Sequence, residues 1–553
     1  MKVAVIGGGI SGMVAARALA GSRELADGKA LAGGRTLADD RALAGGIEVD
    51  IFETSSHLGG KLSSVKFGGA YVDTGPDSFL ARRPEAVKLC EELGISGELV
   101  APGAKGAFIV IGNKLRKIPS DLALGVPVRL GSLIRSVAEH RILTIRGMSR
   151  AAMGYFFPTP GHFPTSPEIS SYDTNFKRSL YGGSLTGSSA DPDLSYDVDL
   201  GRLIEHHMGR EVVAKLADPL IGGIHAGSIY GMSAAALFPP MLQASKQPGS
   251  LAVNLYRAMS MSQGAQGGRG AQGGRGATGG KNVTNGGHTS GGKQGRESSP
   301  PPTFYAVKGG MAVLVGSLEK DLLQKGVVIH GDADVVALGR TSKGWTLLLD
   351  NGVEESGYSG IVLAIPAYRA SGLVESFSPD AARLLRSITY SSVAVITLQT
   401  KGISVEDLPE GTGYIVPADG GRLVSACTFL SKKWPHIATQ GSVLLRASTG
   451  RYGDSRHLSM DDEQLTDTVV GELENDLQLS VEVENALVVR WENAFPQYRV
   501  GHLSLVAQIA KEVGRAGPAS VAGAAYGGVG IPACIKSGYE AASSLLEQLR
   551  GLH

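Results

Sequence analysis

The sequence predicts a mixed α/β fold in which one domain is assembled from segments far apart in the chain. Three observations predict it: an N-terminal apolar strand entering a glycine-rich turn, further short β-branched runs, and apolar residues at helical spacing between them. The strand-like runs are KVAVIGG, EVDIFE, GVVIHG and GIVLAIP. The helical patterns are AVKLCEELGI, AVLVGSLEKDLLQKG and AASSLLEQLRG.

Length, charge and cysteine content bound the domain number and the partners. A chain of 553 residues is too long for one simple core, so two large domains with irregular inserts are expected. A formal net charge of +1 gives no global field to attract nucleic acid, and we predict no such partner. Cys90, Cys427 and Cys534 show neither disulfide nor metal spacing, which predicts no metal site and a reducing, cytoplasmic setting.

The sequence contains no uninterrupted apolar run of about 18 residues, so we predict no membrane-spanning helix. The apolar N-terminus is a short β-type run entering glycines, without the long apolar region of a signal peptide. A peripheral membrane contact and the oligomeric state stay open.

Three stretches are predicted to be inserts. Five copies of a hexapeptide of the form RALAGG occupy residues 17–46, where repeated Gly and Asp would interrupt a helix. Residues 154–192 mix Pro, Gly, Ser and aromatic residues and predict a loop. Residues 262–303 are rich in Gly, Ser and Pro and have almost no apolar side chains, so we predict a disordered loop.

The sharpest motif lies at the N-terminus. The strand Val3 to Ile6 leads into Gly7-x-Gly9-x-x-Gly12, which opens a predicted helix. The first glycine permits the tight turn, the second allows close approach of a pyrophosphate, and the third allows the helix to pack on the strand. The helix N-terminus then directs its unpaired N–H groups at the phosphates.

The second strand, EVDIFE, ends in Glu53, whose carboxylate can accept hydrogen bonds from a ribose diol. Its distance from Gly12 exceeds the usual ~20 residues, and the repeat insert accounts for the excess. Together these features predict a dinucleotide site. The segment HLGGKL, with Gly59, Gly60 and Lys61 beyond this strand, favours FAD over NAD.

Further motifs follow in the order found in bacterial porphyrinogen oxidases. They are VIGGGISG, FETSSHLGGK, VDTGPDSF, KGGM, LAIPA, PQYRVGH and YGGVGIPACIKSGYEAA, with LADPLIGGIHAG among the more specific ones. Outside the inserts the chain resembles, over nearly its whole length, the FAD-dependent protoporphyrinogen and coproporphyrinogen III oxidases of the Gram-positive type. These enzymes belong to the wider amine oxidase-like flavoprotein superfamily.

The resemblance implies a Rossmann-like FAD-binding domain that is discontinuous in sequence and a substrate-binding domain with a helical portion. The FAD-binding domain is expected from residues 1–88, 304–368 and 485–553, and the substrate-binding domain from 89–261 and 369–484. The implied cofactor-binding residues are Gly7, Gly8, Gly9, Ile10, Ser11, Gly12, Glu53, Thr54, Lys61, Gly75, Pro76, Asp77, Ser78, Val335, Trp491, Val529, Gly530 and Ile531.

The resemblance also implies the reaction, an oxygen-dependent six-electron oxidation of coproporphyrinogen III to coproporphyrin III in haem synthesis, by hydride transfer to FAD with peroxide formation. Protoporphyrinogen IX is the alternative substrate. An amine oxidase, a carotenoid desaturase or a non-catalytic flavin- or porphyrin-binding protein on the same scaffold are further alternatives. Arg82 and Arg83 are candidates for binding the substrate's propionates, and the sequence identifies no catalytic base.

Overall fold

The computed structural model describes residues 1–21, 46–156, 197–267, 302–437 and 441–551. Most of each predicted insert therefore lies outside the described residues. Residues 262–267, the described start of the Gly-rich stretch, belong to the helix Leu251–Gly267 and not to the predicted loop. Among the described residues no helix is long and apolar enough to cross a bilayer.

A five-stranded parallel sheet forms the centre of the first half of the fold. In spatial order its strands are Val328–His330, Glu48–Phe52, Lys2–Ile6, Gly360–Leu363 and Ala519–Val521. The first four are the predicted β-branched runs, whereas Ala519–Val521 was not predicted. Except in the edge strand Val328–His330, the side chains are largely buried because both faces of the sheet are covered. The strands come from the three separated segments that the sequence predicted, although the domain boundaries themselves stay a prediction.

Helices cover one face of this sheet and share one apolar core with it. They are Ile10–Ala20, Pro84–Glu92, Ala312–Gln324 and Ile531–Arg550. The first and last of these approach closely, since a Cβ at Gly538 would lie 2.4 Å from the carbonyl oxygen of Ser11. Glycine is therefore required at this helix crossing.

The other face carries an antiparallel three-stranded sheet and further helices around a second core. The strands are Val335–Thr341, Gly344–Leu349 and Glu354–Tyr358. The helices are Ala367–Val374, Pro379–Arg386, His502–Arg515 and the short Ala524–Gly527.

A second large sheet has seven strands and is antiparallel except for one pair. In order its strands are Glu482–Pro496, Tyr390–Lys401, Val443–Thr449, Val424–Phe429, Gly413–Ile415, Phe108–Ile111 and Lys114–Lys117. The helix Asp462–Leu477 packs on it. Strand Glu482–Pro496 thus joins this sheet, although the sequence assigned residues from 485 onward to the FAD-binding domain.

A helical layer with its own core completes the described chain. Its helices are Leu130–Ala138, Ile145–Phe156, Leu200–Met208, Arg210–Val212, Gly223–His225, Ala234–Leu237, Pro239–Ser245 and Leu251–Gly267. A π-helical segment, Val213–Gly222, interrupts them and contains Pro219. π-helical turns are often found at functional sites.

Small elements connect these layers. The short strands are Ser64–Phe67, Ala70–Asp73, Phe79–Leu80, Leu99–Val100, Leu122–Ala123, Val126–Pro127 and Phe304–Val307. The single helical turns are Ser96–Glu98, Val405–Asp407, Ala418–Gly420, Leu430–Lys433, Pro435–Ile437 and Arg456–Leu458.

Candidate active site

One large cavity, about 1060 Å³ in volume, lies where the parallel sheet meets the seven-stranded sheet. Ile6 and Phe52, the last residues of two parallel strands, line it, as does Ala364 just after a third. From the seven-stranded sheet Val393, Val395 and others complete the opposite side. A crevice at the carboxyl ends of parallel strands is where α/β sheets bind their ligands.

The glycine turn after the first strand forms one wall. Gly7 has φ +104°, and a Cβ there would lie 2.6 Å from the carbonyl oxygen of Ala364. A Cβ at Gly12 would lie 1.9 Å from the carbonyl oxygen of Gly7, so this glycine allows the helix to pack on the turn. A Cβ at Gly9 would meet nothing within 4 Å, because this residue borders the cavity.

Glu53 follows the second strand and lines the cavity. Its Oε2 accepts a 2.6 Å hydrogen bond from the backbone N–H of Gly8. Its Oε1 accepts from the backbone N–H of Ser55 at 3.0 Å and from the Ser55 hydroxyl at 2.9 Å. The carboxylate is therefore held in one orientation beside the glycine turn.

Two helices begin at the cavity without a side-chain cap. The helix Ile10–Ala20 has Gly9 as its N-cap, and the helix Ile531–Arg550 has Gly530; neither carries an acidic residue in its first turn. Ile10, Ser11 and Ile531 line the cavity. Because the first N–H groups of a helix are unpaired and carry partial positive charge, both ends favour an anionic ligand group.

The predicted GGK segment runs beside the glycine turn. The backbone N–H of Gly59 donates to the carbonyl oxygen of Gly8 at 2.9 Å, and Gly60 has φ +58°. The Lys61 side chain borders the cavity, exposed to the space inside it but surrounded by protein, and this desolvation lowers the pKa of its ammonium group. A cation in this position is available to an anionic group inside the cavity.

The segment around Gly75 crosses from the parallel sheet to the seven-stranded sheet. Arg446 donates a hydrogen bond to the carbonyl oxygen of Gly75, and Trp491 Nε1 donates to the carbonyl oxygen of Thr74 at 2.8 Å. Gly75, Arg446 and Trp491 line the cavity. Thus two side chains of the seven-stranded sheet fix the backbone of this segment.

Two carboxylates flank Gly75 and differ in their surroundings. Asp77 accepts hydrogen bonds of 2.8 Å from both Lys433 Nζ and Trp434 Nε1. Burial acts to raise the pKa of Asp77, but the positive charges of Lys433 and Arg446 outweigh it and hold the pKa below its ordinary value. Asp73 has no such ion pair, and burial raises its pKa to about 6.

The structure brings most of the predicted residues together. Those that line the cavity are Gly7, Gly9, Ile10, Ser11, Glu53, Thr54, Lys61, Gly75, Pro76, Val335, Trp491, Val529 and Ile531. The other five do not line it, although each is within two positions in sequence of a residue that does: Gly8, Gly12, Asp77, Ser78 and Gly530.

Arg82 and Arg83 do not fit the predicted role of binding a substrate in this cavity. Both are exposed in the turn before the helix Pro84–Glu92, and neither lines the cavity. The sequence around them is typical of the start of a helix, and in the structure both arginines directly precede the helix Pro84–Glu92. The arginines that do line the cavity are Arg369, Arg446 and Arg451, which sequence reasoning missed.

The sequence carried weak signals for these residues. Arg446 interrupts the otherwise apolar strand pattern VLLRAST, which is unusual for a strand between two neighbours. The motif LADPLIGGIHAG is among those more specific to the porphyrinogen oxidases, but its sequence does not assign a role to any single residue. The structure shows Asp218, Pro219, Gly222, Gly223, Ala226 and Gly227 of this motif in the lining.

The lining fits FAD. The glycine turn leaves room at Gly9, the two uncapped helix starts and Lys61 supply positive charge near it, and Glu53 offers carboxylate oxygens. The cavity, of about 1060 Å³, continues from this cofactor wall to the face of the seven-stranded sheet.

Comparisons with known proteins agree with this geometry. A coproporphyrinogen III oxidase of Bacillus subtilis is 28% identical over 99% of this chain and 98% of its own, and one of Propionibacterium freudenreichii is 31% identical over 90% and 86%. A solved structure from Exiguobacterium sp. 255-15 has a TM-score of 0.73 at 24% identity, covering 99% of both chains. Residues 10–546 match the family described as flavin containing amine oxidoreductase, and the protein belongs to this family.

Proposed function

We propose that this protein oxidises coproporphyrinogen III to coproporphyrin III, with FAD as cofactor and molecular oxygen as the electron acceptor. The observation that carries the proposal is the continuity of the cavity. It extends from the glycine turn and Glu53 of the parallel sheet to the face of the seven-stranded sheet. Similarity to coproporphyrinogen III oxidases over 86% or more of their length supports the choice of substrate.

In this proposal the parallel-sheet wall holds the cofactor. Gly7 to Gly12 and the helix they open face the pyrophosphate, and Glu53 accepts hydrogen bonds from the adenosine ribose. Val335, buried at the start of its strand, lies at the adenine end. Lys61, Gly75, Trp491 and Val529 line the part of the cavity that would hold the flavin ring.

The residues on the opposite wall receive the substrate. Val393 and Val395 offer an apolar surface, and Gly222, Gly223 and Gly227 leave the space that a wide macrocycle needs. A bound flavin supplies the redox chemistry by accepting a hydride from a bridging carbon. The protein's task is to orient the macrocycle against the ring and to exclude competing reactions.

The overall reaction removes three hydrides and three protons from the macrocycle. Three molecules of oxygen take up these six electrons and six protons and become three molecules of hydrogen peroxide. The balance therefore needs no other co-reactant.

The test is aerobic incubation of the purified flavoprotein with coproporphyrinogen III, followed by porphyrin fluorescence and peroxide assay, against a heat-denatured control for spontaneous oxidation. We expect three equivalents of peroxide for each porphyrin formed. Protoporphyrinogen IX, tested in parallel, decides the alternative: a higher kcat/KM with it would replace the proposed substrate. Absence of enzymatic oxidation of both compounds would refute the proposal.

A further inference from the structure

Four cations line the cavity, and Arg451 differs from the other three. Arg369 is paired with Asp334 at 2.7 Å, and Lys61 lies in the GGK segment beside the glycine turn. Arg446 binds the Gly75 carbonyl and faces Asp73 and Asp77. Arg451, by contrast, follows the strand Val443–Thr449 of the seven-stranded sheet.

The guanidinium of Arg451 is anchored through one nitrogen. Its Nη2 donates to the carbonyl oxygens of Val416 at 2.8 Å and Val424 at 3.3 Å. Within the described part of the chain, no carboxylate forms an ion pair with this group and no other hydrogen bond occupies Nε or Nη1. A guanidinium fixed in this way, with Nε and Nη1 still open, is suited to donate a charge-assisted hydrogen bond to a carboxylate.

The surrounding charges leave this cation only partly compensated. The pKa of the Arg451 guanidinium is raised by the negative charges of Asp218, Asp454 and Glu472 and lowered by the positive charge of Arg456. Asp454 is engaged by Arg456 at 2.7 Å, and Glu472 pairs with Arg422 at 3.3 Å. Desolvation by burial is the largest influence on Arg451 and lowers the pKa of its guanidinium, so an anion beside it would be favoured.

Small residues leave space in front of this side chain. Gly222, Gly223, Ala226 and Gly227 line the cavity from the helical layer, and a Cβ at Gly223 would meet nothing within 4 Å. The backbone N–H of Tyr452 donates to the carbonyl oxygen of Ala226 at 2.7 Å. This hydrogen bond joins the helical layer to the segment that carries Arg451.

We infer that Arg451 binds a propionate carboxylate of the tetrapyrrole, and that it thereby helps to select a macrocycle with charged side chains. The inference rests on the proposed function and names the residue that recognises the substrate. Val416 and Val424 set the direction of the guanidinium, and one of its open nitrogens, Nη1 or Nε, donates a hydrogen bond to the carboxylate.

Binding of the stable product tests this inference without turnover. Coproporphyrin III and its uncharged tetramethyl ester are titrated into the flavoprotein, with quenching of protein fluorescence as the signal. We expect Arg451→Gln to raise the Kd of the acid about tenfold or more, since a charge-assisted contact is lost, and to leave the Kd of the ester unchanged. The flavin content should equal that of the wild type.

The matched control is Arg515→Gln, which removes an exposed arginine that neither lines the cavity nor influences the charge of Arg451. Its Kd for both ligands should match the wild type. Arg451→Lys keeps the charge but not the planar group that Val416 and Val424 hold in place, so its Kd for the acid should lie between those of the wild type and Arg451→Gln.

Three outcomes would overturn the inference. Arg451→Gln could bind the acid as tightly as the wild type, or it could lose affinity for acid and ester equally, which indicates a structural role. A wild-type protein that does not bind coproporphyrin III would also overturn it. A protein that binds this product through Arg451 but does not oxidise the porphyrinogen would refute the proposed function alone.

Discussion

The backbone N–H of Gly8 donates a 2.6 Å hydrogen bond to Oε2 of Glu53, which joins residues 45 positions apart. The first and second parallel strands are paired in register from Lys2 with Glu48 to Ile6 with Phe52. The carboxylate therefore reaches the glycine turn regardless of the length of chain between helix and second strand. This explains how the repeat insert leaves the two halves of the motif together.

We expect Glu53→Gln to weaken the affinity of the apoprotein for FAD by about tenfold. Both carboxylate oxygens accept hydrogen bonds from backbone N–H groups. The glutamine amide has one oxygen and one NH₂ group, so whichever way it is turned, its NH₂ group faces one of these N–H donors. The control is Glu48→Gln at the exposed start of the same strand. Titration with FAD measures the Kd, and equal values for Glu53→Gln and the wild type would contradict the assigned role.

The two glycines Gly9 and Gly12 should respond differently to a side chain. Gly12→Ala would place Cβ 1.9 Å from a backbone oxygen, so we expect loss of folded protein or a drop in stability of several kcal/mol. Gly9→Val has free space and φ −68°, so the apoprotein should unfold at the wild-type temperature while FAD is retained poorly. Thermal unfolding of the apoprotein and flavin content after purification measure the two effects. A Gly9→Val protein with full flavin content would contradict the assignment.

The cofactor side of the cavity could be predicted because its signals are local in sequence. Gly7 and Gly12 are needed where the backbone turns or makes a close contact, and Glu53 directly follows a strand that the apolar sequence pattern predicts. The opposite wall depends on the register of seven strands from distant segments, and nothing in the local pattern of VLLRASTGR says which side chains face the cavity. The local pattern likewise does not show that Arg82 and Arg83, the candidates for propionate binding, lie on the outer surface.

The half-buried carboxyl of Asp73 predicts a pH-dependent stability. Burial raises its pKa from 3.8 to about 6, and the nearby Asp77 adds to the shift, while hydrogen bonds from Ser64 and Met311 and the charge of Arg446 oppose it. Because the pKa is higher in the folded state, the favourable contribution is complete below about pH 4 and is lost as the pH rises through about 6.

Asp73→Asn removes this ionisation and keeps the hydrogen bonds, since Ser64 and the Met311 N–H both donate to the single oxygen Oδ1. We expect the variant to be about 1 kcal/mol more stable than the wild type at about pH 8 and no more stable at about pH 4. Urea denaturation at the two pH values is the measurement. Asp380→Asn, on the exposed surface, should show no such difference, and a gain at about pH 4 equal to that at about pH 8 would refute the explanation.

The ion pair of Asp77 and Lys433 predicts a strong energetic coupling between the segment around Gly75 and the seven-stranded sheet. Both side chains are mostly buried, and Asp77 also accepts from Trp434. Asp77→Asn would leave the Lys433 ammonium without its counter-charge, and Lys433→Met would leave the carboxylate with Arg446 as its remaining cation. We expect each single change to cost about 3 kcal/mol, the usual penalty for breaking a buried pair.

The double variant should cost less than the sum of the single changes, by about 1 to 3 kcal/mol, because neither charge is then left alone. A matched cycle on the exposed pair Lys401 and Glu482 should give a coupling near zero. Urea denaturation of the four proteins in each cycle measures the coupling energies. Strict additivity at Asp77 and Lys433 would mean that the two charges act on stability independently, and the segment around Gly75 would then be held to the sheet by Arg446 and Trp491 alone.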